Sequence, residues 1–136
     1  MASATAPGSR PKGKLVHSTS LAGRTILIVE DEPLIAMDIA TAFEKVGAVV
    51  VSAASFDRAK HLVEQDGLSA AVLDFALKDG DADALCSRLN HRDIPYVLHS
   101  GYTHFGEACH RGIVIPKPAA PTALIDALVG LLERPQ

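Results

Sequence analysis

Thr25-Ile26-Leu27-Ile28-Val29-Glu30-Asp31 is an apolar run of strand length that stops on two adjacent carboxylates. Two more runs repeat the arrangement. Ser69-Ala70-Ala71-Val72-Leu73 stops on Asp74, and Ile113-Val114-Ile115 is followed closely by Lys117. Near-continuous apolar runs are the pattern of strands buried on both faces, as in a parallel sheet. Charges set directly after such strands gather at one edge of the sheet, where open α/β sheets bind ligands. Three carboxylates and an ammonium at that edge suit a divalent cation and a phosphoryl group.

Outward from the first run, strand and helix signals alternate. Pro33 sits where a first helical turn accepts it, behind Asp31-Glu32, whose charge suits a helix N-terminus. Ile35, Ile39, Ala42 and Val46 recur at helical spacing, and Gly47 stops the helix. A second strand is predicted over 48–53, a second helix over 56–65 and a third strand ending at Asp74. The turn at Lys78-Asp79-Gly80-Asp81 feeds a third helix with Leu85 and Leu89 on one face. A fourth strand follows over 94–99, a fifth over 112–115, and a last helix over 121–132 carries Leu124, Leu128 and Leu131. This βα alternation predicts an α/β fold: a five-stranded parallel sheet, helices on both faces, right-handed crossovers. Only residues 101–111 separate Ser100 from the fifth strand, so a fourth helix there is expected to be short and mobile.

A chain of 136 residues fits one domain. Residues 1–22 lack hydrophobic periodicity and are rich in Ala, Ser, Thr, Pro, Gly and Lys. They read as a flexible tail, either a functional arm or a leader with no role. The domain is expected over 23–134, with no room behind it for an output module. A net charge of −3 offers no electrostatic case for nucleic acid or an anionic membrane. No apolar run approaches the roughly 18 residues of a membrane span, and the basic N-terminus lacks the apolar stretch of a secretory signal. Two cysteines, Cys86 and Cys109, are too few for a disulfide framework and read as free thiols in a reducing cytoplasm.

Glu30-Asp31, Asp74, Ser100 and Lys117-Pro118 stand in this order on a five-fold βα pattern, and Leu98-His99-Ser100-Gly101-Tyr102 ends the fourth strand. In this the chain resembles a stand-alone receiver domain of bacterial two-component response regulators, over about residues 24–134. The resemblance implies a flavodoxin-like, doubly wound fold. It implies that Asp74 takes a phosphoryl group from a histidine kinase or phosphotransfer protein and becomes an acyl phosphate. Mg²⁺ would be held by Asp31, by Asp74 itself and by the carbonyl of Ala76, with Glu30 acting through water. Lys117 would pair with Asp74 and then with the phosphoryl oxygens, behind a Lys-Pro bond that is usually cis in this family. Ser100 would donate its hydroxyl to a phosphoryl oxygen, pulling on the loop behind it. Beyond its own phosphorylation and dephosphorylation, no enzymatic activity is implied.

Partners would dock on the first helix and the loop after the fifth strand, where Leu34 and Met37 are exposed or core. Output would be contact with a downstream protein or service as a phosphate shuttle or sink. Two positions depart from the family's habits, and two more bear on the lifetime of the acyl phosphate. Glu30 replaces a common Asp. Val114 stands where an aromatic switch residue is frequent, so ordering of the segment after Tyr102 is the expected response. Ala76 cannot orient an attacking water and Tyr102 can shield the site, so slow dephosphorylation is expected.

Other readings of the same residues are weaker. Asp79, Asp81 and Asp83 look like a calcium loop, but the later glutamate is missing. His104 and Cys109-His110 lack the partners of a zinc site. Glu32 reads as a cap charge, Asp38 as a solvated helix face, and His99 as a buried neutral histidine. A pseudo-receiver acting by contact alone is the main alternative, against which the intact Asp31, Asp74, Ser100 and Lys117 set argues. A toprim-like phosphotransferase would need a DxD motif at a strand end, and none is present.

Overall fold

The structure is a computed structural model and describes residues 21–74, 82–101 and 107–134. Five strands form one parallel sheet: β1 (Thr25–Val29), β2 (Val49–Ala53), β3 (Leu68–Asp74), β4 (Tyr96–Ser100) and β5 (Ile113–Pro116). Between and after them lie α1 (Pro33–Lys45), α2 (Phe56–Leu62), α3 (Ala82–His91), a 3-10 turn (Glu107–Cys109) and α4 (Pro121–Glu133). The strand order is β2-β1-β3-β4-β5. The chain steps outward from β1 to β2, then returns across β1 to lay down β3. This reversal opens the crevice between the ends of β1 and β3 where doubly wound sheets bind their ligands.

Alternation along each strand divides the core in two. Ile26 and Ile28 point to one side of β1, with Val72, Val97, Phe43 of α1, and Leu124 and Leu128 of α4. Leu27 and Val29 point to the other, with Leu73, Leu98, Leu62 of α2, and Leu85 and Leu89 of α3. Central strands are therefore buried on both faces, whereas the edge strands β2 and β5 are partly exposed. Helix starts follow their local chemistry. The Glu32 side chain accepts from the Leu34 N–H, with Pro33 in the first turn of α1, and the Ser55 side chain accepts from the Arg58 N–H at the start of α2.

Four expectations are corrected. Leu21, assigned to the tail, is fully buried among Ile26, Ile28 and Phe43, so the fold starts before residue 23. There the Gly23 N–H donates to the Gly47 carbonyl, and a Cβ on Gly47 (φ +91) would come within 3.1 Å of the Ala22 Cα. Ile35, expected on the buried stripe of α1, is half-exposed, and that stripe is carried instead by Ile39 and Phe43. α2 stops at Leu62, short of residue 65. Cys86 and Cys109 are joined in a disulfide, not free. They are separated by 23 positions, but α3 and the 3-10 turn pack on the same side of the sheet and bring their Cα atoms to 5.1 Å, within disulfide range. The cysteines thus no longer argue for a reducing compartment.

The short element expected between β4 and β5 is, among the described residues, the single 3-10 turn Glu107–Cys109. The tail over residues 1–20 and the turn at Asp79 and Asp81 lie outside the described residues. Among the described residues no helix is long and apolar enough to cross a membrane.

Candidate functional site

Strand ends deliver the site. β1 ends at Val29 and hands Glu30 and Asp31 to the carboxyl edge of the sheet. β3 ends on Asp74 itself, β4 on Ser100, and Lys117 follows β5 directly. Because β3 pairs with β1 on one side and β4 on the other, Asp74 is the middle of the group. Glu30, Asp31 and Asp74 each place a carboxylate oxygen within 4.8 Å of the others, the one such cluster of potential metal ligands among the described residues. Lys117 Nζ lies 2.9 Å from Asp74 Oδ2. Its backbone N–H donates to the Ser100 carbonyl at 2.9 Å, tying the loop after β5 to the end of β4, and the Lys117-Pro118 peptide is cis.

Burial differs sharply within this group. Asp74 is 2% exposed and Glu30 3%, whereas Asp31 is exposed and Lys117 is half-buried. Burial, then hydrogen bonding and repulsion from Asp74, push the Glu30 carboxyl up to about 8 from its ordinary 4.5; the Glu32 N–H and the Lys117 charge oppose this. The Glu32 N–H donates to Glu30 Oε2 at 3.1 Å, while Glu30 Oε1 is buried with no donor facing it. Held above neutrality, the Glu30 carboxyl keeps its proton at pH 7 and adds no second negative charge beside Asp74. An all-oxygen donor set carrying a buried, unanswered carboxylate oxygen fits a hard divalent cation such as Mg²⁺.

The expected site residues thus converge in part within view. Glu30, Asp31, Asp74 and Lys117 come together, and fully buried Ser100 stands beside them at the end of β4. Ala76 and Tyr102 lie outside the described residues. His99 is buried, and neither ring nitrogen has a hydrogen-bond partner. Burial first, then the Lys117 charge, lower its pKa, which keeps it neutral as expected. Val114, at the position of the frequent aromatic, is part-exposed on an edge strand.

Beside Lys117 lies a groove of about 460 Å³ between α1 and the start of α4, walled by Leu34, Ile35, Ile39, Pro118 and Pro121 with His99 at its base. Leu34 is 74% and Met37 62% exposed, which decides between surface and core for both. The disulfide was missed altogether, since a pair of cysteines 23 residues apart carries no local signal of its pairing.

Comparison with known proteins gives the family and the fold. The response regulator receiver domain family matches residues 26–129. The chain is 29% identical over 141 residues to the sensor kinase CckA of Brucella abortus (strain 2308), covering 95% of this chain but only 15% of that protein. A CheY-like response regulator receiver domain of Methanospirillum hungatei JF-1 superposes with TM-score 0.74 at 22% identity, over 82% of this chain and 95% of that one. A response regulator of Burkholderia pseudomallei, solved with a phosphorylated aspartic acid, a calcium ion and citrate, gives 0.68 at 20% identity, over 77% and 66%. At these identities the two structures speak for the fold.

Proposed function

The chain belongs to the response regulator receiver family, and from that premise we propose that it accepts a phosphoryl group on Asp74 from a histidine kinase or phosphotransfer protein. The observation that carries this is the 2.9 Å pair of Asp74 with Lys117 inside a cluster that also holds Glu30 and Asp31. A carboxylate oxygen of Asp74 attacks the donor's phosphorus, the N–P bond to the donor histidine breaks, and an acyl phosphate forms. Phosphoryl transfer is mostly positioning and charge neutralisation. Lys117 is a compact point charge beside the reacting oxygen and stays on hand for the phosphoryl oxygens. Ser100, at the end of the neighbouring strand, offers its hydroxyl to one of them. Asp31, Asp74, Ala76 and Glu30 would hold a divalent cation, which would supply further neutralisation of the phosphoryl charge.

The donor approaches over the groove between α1 and α4, where Leu34 and Met37 offer exposed apolar surface beside Lys117. The relative CckA is a sensor kinase, which suits a donor of that class. The chain turns over no separate substrate; its chemistry is confined to its own carboxylate. Its output is contact with another protein or relay of the phosphoryl group, in the cytoplasm.

Intact-mass spectrometry after incubation with acetyl phosphate tests the reading on wild type and Asp74→Asn. A gain of one phosphoryl that needs Mg²⁺ and vanishes in the variant is expected. No gain in wild type, with either acetyl phosphate or a histidine kinase as donor, would overturn it.

A further inference from the structure

We propose that Cys86 and Cys109 form a reversible redox site that governs whether the 3-10 turn Glu107–Cys109 can shift when Asp74 is phosphorylated. This rests on the phosphoacceptor reading above. The disulfide joins the next described elements in the chain after Asp74 and after Gly101. Cys86 lies on α3, which follows the connection from Asp74, and Cys109 lies in the 3-10 turn, which follows the connection from Ser100. It also lies on the side of the sheet that matters. Ser100 alternates with Val97 and His99 and shares its side of β4 with Leu98, which belongs to the same core cluster as Cys86 and Cys109. Closed, the bond holds the 3-10 turn against α3.

Opening the bond leaves the turn seated by weaker contacts. Asn90 Nδ2 donates to the Ala108 carbonyl at 2.6 Å, and the Tyr96 hydroxyl reaches that carbonyl at 3.1 Å and Asn90 Oδ1 at 2.9 Å. Gly112, where the chain leaves the turn, sits so close to Tyr96 that a Cβ would come within 2.5 Å of its ring. These contacts make and break reversibly, which a covalent link does not, so reduction frees the turn without unfolding the domain. Both cysteines are buried, at 0% and 2% exposure, so a thiol reaches the bond only when the packing around it opens locally. In a reducing cytoplasm such a pair is the transient, sensing kind of disulfide rather than a permanent brace. The chemistry is thiol–disulfide exchange. A thiolate of a glutathione-class thiol attacks one sulfur and expels the other as thiolate, and a second thiol resolves the mixed disulfide. Two electrons and two protons end on Cys86 and Cys109, and the reductant leaves as its own disulfide. Coupling of this kind is reciprocal: if the open pair favours phosphorylation, phosphorylation favours the open pair by the same factor.

The test uses the full chain equilibrated across ratios of reduced to oxidised glutathione, alkylated with iodoacetamide and weighed. In parallel, phosphoryl uptake from acetyl phosphate with Mg²⁺ and amide exchange of residues 107–111 are followed. The expected results are a pair that closes in oxidising buffer, uptake about fivefold or more slower in the closed form, and faster exchange of 107–111 in the open form. Cys86→Ala and Cys109→Ala should each behave as the open form in every buffer. Failure of the pair to close at any ratio, or equal uptake with equal exchange in both forms, would overturn the proposal. Uptake in neither form would instead overturn the phosphoacceptor reading, and the exchange of 107–111 would still decide the redox hold: faster when open supports it, unchanged refutes it.

Discussion

The carboxyl edge of the sheet and its interior obey opposite rules. Among the described residues four polar or charged side chains are buried, Glu30, Asp74, His99 and Ser100, and all four lie at the ends of β1, β3 and β4. One residue deeper, the same strands are Val29, Leu73 and Leu98, packed between helices with nothing polar to satisfy. Burying a polar group without full pairing costs stability. Among the described residues that cost is confined to one edge, where Glu30 Oε1 and both His99 nitrogens go unanswered. The interior holds the fold, and the edge spends part of that stability on a reactive carboxylate.

This contrast breaks most clearly at Asp74. Asp74→Asn should abolish phosphoryl acceptance while leaving circular dichroism and melting close to wild type, since it removes a buried charge and keeps the side-chain volume. A variant that still gains a phosphoryl would place the acceptor elsewhere. The interior should answer in reverse. Leu128→Ala, at a fully buried contact between α4 and the sheet, should cost about 2–5 kcal/mol in denaturant unfolding. Its folded fraction should still accept a phosphoryl group, and loss of acceptance at full folding would blur the division.

The edge also sets a pH dependence. Glu30 is raised from 4.5 to about 8, so between those values the folded chain keeps a proton the unfolded chain has released. Stability from this group is complete below 4.5 and is lost as pH rises through about 8. His99 is lowered from 6.5 and has the opposite slope below that value, which leaves the span from 6.5 upward as the clean window. Metal-free protein should therefore melt at lower temperature as pH rises from 6.5 to 8, and Glu30→Gln should flatten that decline. A melting temperature that climbs across the window would contradict the assignment.

The smallest effect on the fold belongs to the surface beside the edge. Leu34→Ala should change stability by no more than ~0.5 kcal/mol, because the side chain is 74% exposed. Transfer from a histidine kinase should nevertheless slow, with uptake from acetyl phosphate unchanged. Equal rates from both donors would remove this face from docking.

Much of this was legible in the residues themselves. Apolar runs stopping on Glu30-Asp31, on Asp74 and just before Lys117 determine strands whose ends carry the chemistry, because a strand buried on both faces can place a charge only where it emerges. What the order of residues left open was settled by packing between distant segments. The strand order puts β3 between β1 and β4, and only then does Asp74 stand within reach of Glu30, Asp31 and Lys117. The depth of that position raises Glu30, which no spacing announces. Helix rotation decides that Ile39 and Phe43 go inward while Leu34 and Met37 face solvent, although all four are apolar. The approach of α3 to the 3-10 turn pairs Cys86 with Cys109 across 23 positions. Local pattern specifies each element because its causes lie within a few residues, whereas burial, charge state and cysteine pairing depend on neighbours that only the folded chain supplies.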